Sequence, residues 1–186
     1  LVDVGATGST LVVALTYIVH PGDPDGVSWG GAAMTLVSTN IIGPRALNVY
    51  VLQNATAGQF NVLVDDTTSG GLLSWAAIGT ELAGAAISSF DKTASNTGNG
   101  TAPNSGSTAT TSQANEMLLG FISRANAFIG GTWAGSFTAG QSAVRAGLSL
   151  EEGYRSVTAT GTYAAGKTGG VAARWIATIT TFKEAP

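Results

Sequence analysis

Short apolar runs alternate with glycine-rich turns along most of the chain, and helical periodicity is nearly absent. Thr10 to Val19 is apolar on both faces, which places it in the centre of a sheet. Val27 to Thr39 reads as a hairpin, because Gly30-Gly31 supplies the positive φ angles of a tight two-residue turn. Leu47 to Leu52 is a strand, and Phe60, Val62 and Val64 alternate with Asn61 and Asp65 as a half-buried one. Leu72 to Leu82 has a helical alanine content, but its flanking glycines and Trp75 favour a strand. Glu116 to Arg124, Thr132 to Thr138, Tyr154 to Tyr163 and Val171 to Phe182 complete the series. In the last, Trp175, Ala177 and Ile179 share one face and Ile176 and Thr178 the other. Ser88 to Ser112, rich in Ser, Thr, Asn and Gly, reads as a long surface loop with room for one edge strand. Ser142 to Glu152 is the best candidate for a short helix. No internal repeat is visible. The expectation is one all-β domain over residues 1–186, a two-sheet antiparallel sandwich of roughly eight to ten strands.

Composition sharpens this picture. The chain has 186 residues, of which 44% are hydrophobic and only 10% charged, against roughly 25% charged in an average domain. Thr, Ser and Asn must therefore supply most of the polar surface, which is easily buried against a neighbour. That suits an extracellular or particle-bound life, or else reflects the compositional bias of the source. The net charge is −3 and the eight basic residues are scattered. Nucleic-acid binding, which needs clustered positive charge, is excluded. The absence of cysteine excludes disulfides and thiolate metal sites. No apolar run approaches the ~18 residues of a membrane-spanning helix. The first residue, Leu1, indicates either a removed leader or a piece of something longer.

Four segments carry a resemblance. They are Leu11–Ile18 with its following turn-rich loop, Val27-Ser-Trp-Gly-Gly-Ala-Ala-Met-Thr-Leu-Val37, Asn48-Val-Tyr-Val-Leu-Gln-Asn-Ala-Thr-Ala-Gly58, and Ala173-Arg-Trp-Ile-Ala-Thr-Ile-Thr-Thr-Phe-Lys183. Together they resemble the jelly-roll domains of bacterial secreted proteins and of tail- or capsid-associated proteins of bacteriophages. The resemblance implies a jelly roll in a virion or extracellular setting. Its partners would be copies of itself or other virion proteins. Its motifs are structural and carry over no catalytic residue.

The candidate chemistry is sparse. His20, the single histidine, precedes Pro21 in a loop, and no G-x-S-x-G elbow exists, so a Ser-His-Asp triad has no frame. Asp23 and Asp25 have a D-x-D spacing with Gly26 beside them, a partial calcium loop or simply a good turn. Asp65-Asp66 and Glu151-Glu152 are further acidic pairs without an evident facing carboxylate. Trp29 and Trp133, with glycines close by at hairpin or strand-end positions, are the candidates for stacking on a sugar ring, while Trp75 and Trp175 read as core. The leading expectation is a non-enzymatic structural or interaction protein of an extracellular assembly, with capsid decoration, a head fibre or a tail accessory as the role. A carbohydrate-binding module, with calcium as its only conceivable cofactor, is the alternative.

Overall fold

The computed structural model describes residues 1–19, 24–65, 74–126 and 130–186. Sixteen strands form among the described residues. The first half of the chain supplies β1 (Val2–Val4), β2 (Ser9–Ile18), β3 (Gly26–Trp29), β4 (Ala32–Ala33), β5 (Thr35–Ile42), β6 (Arg45–Ala55), β7 (Gly58–Phe60), β8 (Val62–Asp65) and β9 (Trp75–Leu82). The second half supplies β10 (Ala85–Gly100), β11 (Asn115–Arg124), β12 (Thr132–Trp133), β13 (Thr138–Arg145), β14 (Leu148–Thr158), β15 (Lys167–Thr168) and β16 (Ala173–Glu184). Two sheets make the sandwich, ordered β5-β6-β2-β9 and β10-β16-β11-β14-β13, and all their pairings are antiparallel.

The expected sandwich is present, and its strand order refines the jelly-roll expectation. Each principal sheet is drawn from one half of the chain, whereas a jelly roll is built of two Greek keys. The two halves also repeat one another, contrary to the reading of the sequence. Without β10, the second sheet is ordered β16-β11-β14-β13, and the first, read in the same sense, is β9-β2-β6-β5. The small pairs repeat too: β3 pairs with β8, and β12 with β15.

Register makes the correspondence residue by residue. The β5–β6 hairpin turns between Ile42 and Arg45 and is bulged by one residue between Leu36 and Ser38; the β13–β14 hairpin turns between Arg145 and Leu148 and is bulged between Ala139 and Ser142. Tyr17 pairs with Trp75 as Arg124 pairs with Trp175, and Leu36 faces Tyr50 as Ala139 faces Gly153. Thus Trp75-x-Ala77-x-x-Thr80 matches Trp175-x-Ala177-x-x-Thr180, and Trp29-x-Gly31 with Met34-Thr35 matches Trp133-x-Gly135 with Phe137-Thr138.

The halves pack face to face through equivalent residues. Val12, Ala14, Leu47, Ala76 and Leu82 meet Leu119, Phe121, Leu150, Ile176 and Phe182, their counterparts. The outer face of each sheet is covered as well. β1, β3 and the neighbouring loops close one core over Leu11, Val13, Leu15 and Tyr17. Phe137, Ala165 and the half-buried Trp133 and Tyr163 close another over Leu118 and Ile179. A strand buried on both faces must be apolar on both, which is why β2 reads as an unbroken apolar run.

One expectation about local structure is overturned and another is met in part, since Ser88 to Ser112 does contain an edge strand. Ser142 to Glu152 is no helix: it is the β13–β14 hairpin, with Gly147 taking the positive φ its turn needs. Most of Ser88 to Ser112 is β10, paired along β16. Beyond β10 the hydroxyl residues pair as well. Ser105, Thr108 and Thr111 each donate a backbone N–H to Ala165, Tyr163 and Gly161 and accept the N–H of the same residue on the side-chain oxygen. A three-residue period thereby pairs with a two-residue one, so a stretch with loop composition is held like a strand.

The halves differ where each buries polar groups. In the first, the Asn48 amide donates to the Tyr17 and Tyr50 hydroxyls, at 3.3 and 3.1 Å. The equivalent site in the second half is ionic. Glu151 takes the place of Asn48 and Arg124 that of Tyr17. Lys167 bonds the Glu151 carboxylate, whose Oε1 lies 3.8 Å from Arg124 Nε, and all three residues are at most 4% exposed. Removing the one anion leaves two buried cations uncompensated. Glu151→Gln should therefore cost about 3–5 kcal/mol in chemical denaturation, while the combined Arg124→Tyr, Glu151→Asn and Lys167→Val, which removes all three buried charges, should cost less than Glu151→Gln alone. Gly153→Ala would bring a Cβ within 2.6 Å of the Trp133 ring; a loss of about 1–3 kcal/mol in the same assay is expected.

Candidate functional site

The repeat exposes one difference of surface as well as of interior. β16 has β11 on one side and β10 on the other. Its counterpart β9 has β2 on one side and, among the described residues, no strand on the other. The outer edge of β9 offers backbone groups at every second residue. The Gly79 carbonyl lies on that edge and accepts from Gln141 Nε2 of β13 at 2.9 Å.

Two clefts flank this edge and share Glu81 and Gln141. One, of about 480 Å³, lies on the outer side of the sheet among Val2, Asp3, Val13, Val62, Val64 and Trp75. The other, of about 330 Å³, lies in the seam between β9 and β13–β14 and is lined by Leu82, Met117, Leu119, Gly140, Glu152 and Tyr154. Each opens beside an exposed aromatic: Trp75 is 44% and Tyr154 42% accessible. Trp75, read as core from its apolar strand, is exposed, while Trp175 at the equivalent place is only 8% accessible. The cause is visible in β10. Gly98 lies so close to the Trp175 ring that a Cβ there would clash. Trp75 has no such cover among the described residues.

Carboxylates set the electrostatics of the edge. Glu81 accepts from the Ser9 hydroxyl and from the Gly5 and Ala6 amides. The Ser9 bond is the main cause holding its pKa below the ordinary value, burial pulling the other way. Glu152 is buried and accepts from the Thr80 hydroxyl and the Gln141 backbone amide. Thr80 and Glu81 point to opposite faces of β9, so the two carboxylates flank the edge from opposite sides: Glu152 in the seam, where the other half has Val49, and Glu81 on the outer side, where it has Thr181.

Trp29 is not a platform. Its ring is 2% accessible, packed edge-on against Phe60 at 4.9 Å, with Nε1 donating to the Val2 carbonyl. Trp133 is half-buried, stacked on Phe137, with Lys167 Nζ 5.4 Å from the ring centroid. The two indoles serve equivalent structural places under the outer layers of their halves. Asp25 lies at a bend, its amide donating to the Asp65 carbonyl at 2.9 Å. Asp23, His20 and Asp66 lie outside the described residues. Glu151 and Glu152 point to opposite faces of β14, one to the buried cations and one to the seam. Among the described residues, no group of three His, Cys, Asp or Glu is placed to hold a metal.

One buried acid sits apart. Glu116 occupies the place of Ser9, and Thr181 that of Glu81, so acid and hydroxyl have exchanged strands between the halves. Both Glu116 carboxylate oxygens are buried, and burial pushes the group's pKa up; Thr181 draws it back and Asp91 adds to the rise. For Asp91 burial also pushes up, but Lys92 and Ser112 together outweigh it and hold the carboxyl well below its usual range. A raised acid destabilises the fold once the unfolded chain has ionised. The stability of the Glu116→Gln variant relative to the native chain should therefore rise as pH climbs from below 4.5, the ordinary value, toward neutrality; melting temperatures across that range check it.

No protein-family model, no curated protein and no solved structure matches the chain.

Proposed function

We propose that the chain is a non-enzymatic structural or interaction module of an extracellular assembly, the bacteriophage virion being the setting that its sequence resemblance implies. The open edge of β9, between two clefts that each present an exposed aromatic, supports this reading most directly. A sheet edge with free backbone groups is a surface for association unless it is blunted by charge, proline or a covering segment. The sparse charge of the chain leaves little repulsion to oppose such contacts. The mechanism is passive: a sandwich with a central core and a covered outer face on each sheet holds the edge rigid, and a neighbouring protein of the assembly docks on it.

Sedimentation over a wide range of concentration tests the reading. The native chain should associate, and Trp75→Lys, which charges the rim of the outer cleft without touching a core, should shift it toward monomer. A chain that stays monomeric throughout counts against assembly through copies of itself.

A carbohydrate reading is favoured by one observation, the exposed Trp75 beside Asp3 and Gln141 in the outer cleft. Indole faces stack on sugar rings, and side-chain amides and carboxylates bond their hydroxyls. In a glycan screen Trp75→Ala should abolish any binding, and Trp133→Phe should leave it unchanged.

A further inference from the structure

Among the described residues no strand lies on the outer side of β9, and the open place has a template inside the same molecule. β10 fills the equivalent seam, and its contacts there define the chemistry of an occupant. Phe90 packs on Phe182 with ring centroids 6.1 Å apart, and Phe182 is the counterpart of Leu82. The Lys92 amide donates to Thr181 Oγ1, and Thr181 is the counterpart of Glu81. Ser95 bonds Ser38, and Ser38 is the counterpart of Gln141. Gly98 lies under Trp175, the counterpart of Trp75. Each of these partners has a counterpart along β9 and its seam, the tryptophan alone being the same residue, with a cleft where β10 would run.

We infer that the β9 edge accepts an antiparallel strand from another polypeptide, by β-strand addition. This rests on the proposed role as an interaction module and names the partner's chemistry. The strand carries a bulky apolar residue at the Phe90 position, which enters the 330 Å³ seam cleft among Leu82, Met117 and Leu119. Two residues on, its backbone amide donates to the Glu81 carboxylate, which stands where Thr181 accepts from the Lys92 amide. It ends on a small residue over Trp75. Backbone bonds to Ala77, Gly79 and Glu81 supply the pairing, and the cleft supplies selectivity. Gln141 holds the Gly79 carbonyl in the absence of the strand and must yield it.

The probe is a synthetic peptide of residues 88–99 of this chain, titrated against the intact protein, with amide hydrogen exchange as the second readout. The expected result is saturable binding and new protection at the Ala77, Gly79 and Glu81 amides. Replacing the phenylalanine of the peptide by alanine should weaken binding about tenfold or more. Gln141→Ala in the protein should tighten binding, and Gln141→Trp should remove it without lowering the melting temperature. Binding without protection on β9, or with protection lost from β10, means that the peptide has exchanged with β10 and overturns the inference. So does the absence of binding to Gln141→Ala. A dimer of the chain alone that protects the β9 amides and that Gln141→Trp disperses shows a second copy on the edge, which overturns the foreign strand. If sedimentation shows association sensitive to Trp75→Lys while the peptide fails to bind, the broader reading stands and this inference falls.

Discussion

The contact between two equivalent apolar faces is the interaction on which the rest depends. Val12 and Leu119, Ala14 and Phe121, and Leu82 and Phe182 are paired counterparts in one core, so the sandwich is assembled as a symmetric dimer would be, within one chain. Burial of apolar area is non-directional and sets no register by itself. The hairpin turns and their matching bulges do that, fixing which residues of each sheet face inward. Once both sheets are committed to the central core, their outer faces remain apolar and demand covers. The small strands, the Ser105–Thr111 segment and the two tryptophans Trp29 and Trp133 meet that demand.

The polar interiors give the halves separate identities. Asn48 with two tyrosine hydroxyls and Glu151 with two cations occupy one place in the repeat. Neither network adds much net stability, because desolvation offsets most of the attraction. Each does penalise replacement of its own surroundings by those of its twin, since a carboxylate set among tyrosines would be buried without a cation. The exchange of Ser9 and Glu81 for Glu116 and Thr181 works in the same sense: either strand can supply the acid, but a mixed pairing would place two acids or none.

The strands with strong apolar runs were legible in the sequence, because burial on one or both faces leaves a direct mark. Thr10 to Val19 and Val171 to Phe182 are the plainest cases. The pairing of Ser88 to Gly100 was hidden because its side chains face hydroxyls and glycines, Ser95 on Ser38 and Gly98 under Trp175, so the strand has no apolar alternation. Ser142 to Glu152 misled for a similar reason: the edge strand β13 is exposed along most of its length and carries no sheet signature. The repeat left a trace in Trp75-x-Ala77-x-x-Thr80 and Trp175-x-Ala177-x-x-Thr180, but sheet order and register were needed to show that the match was more than a few shared residues. The exposure of Trp75 was not legible at all, since its strand is apolar and only the absence of a neighbour sets it apart from Trp175.

The division of the two sheets between the two halves of the chain has a consequence for biosynthesis. The first sheet is complete once Leu82 has emerged, whereas the second needs β16, which ends at Glu184. At translation rates of about 5–20 residues per second, the inner face of the first sheet waits roughly 5–20 s for its partner. During that time the best match for it in a crowded polysome is the same face on a neighbouring nascent chain. Only Ala83 and Gly84 separate β9 from β10, a strand of the second sheet, and they tether the correct partner close at hand. The shortness of this link makes the delayed intramolecular closure fast enough to compete.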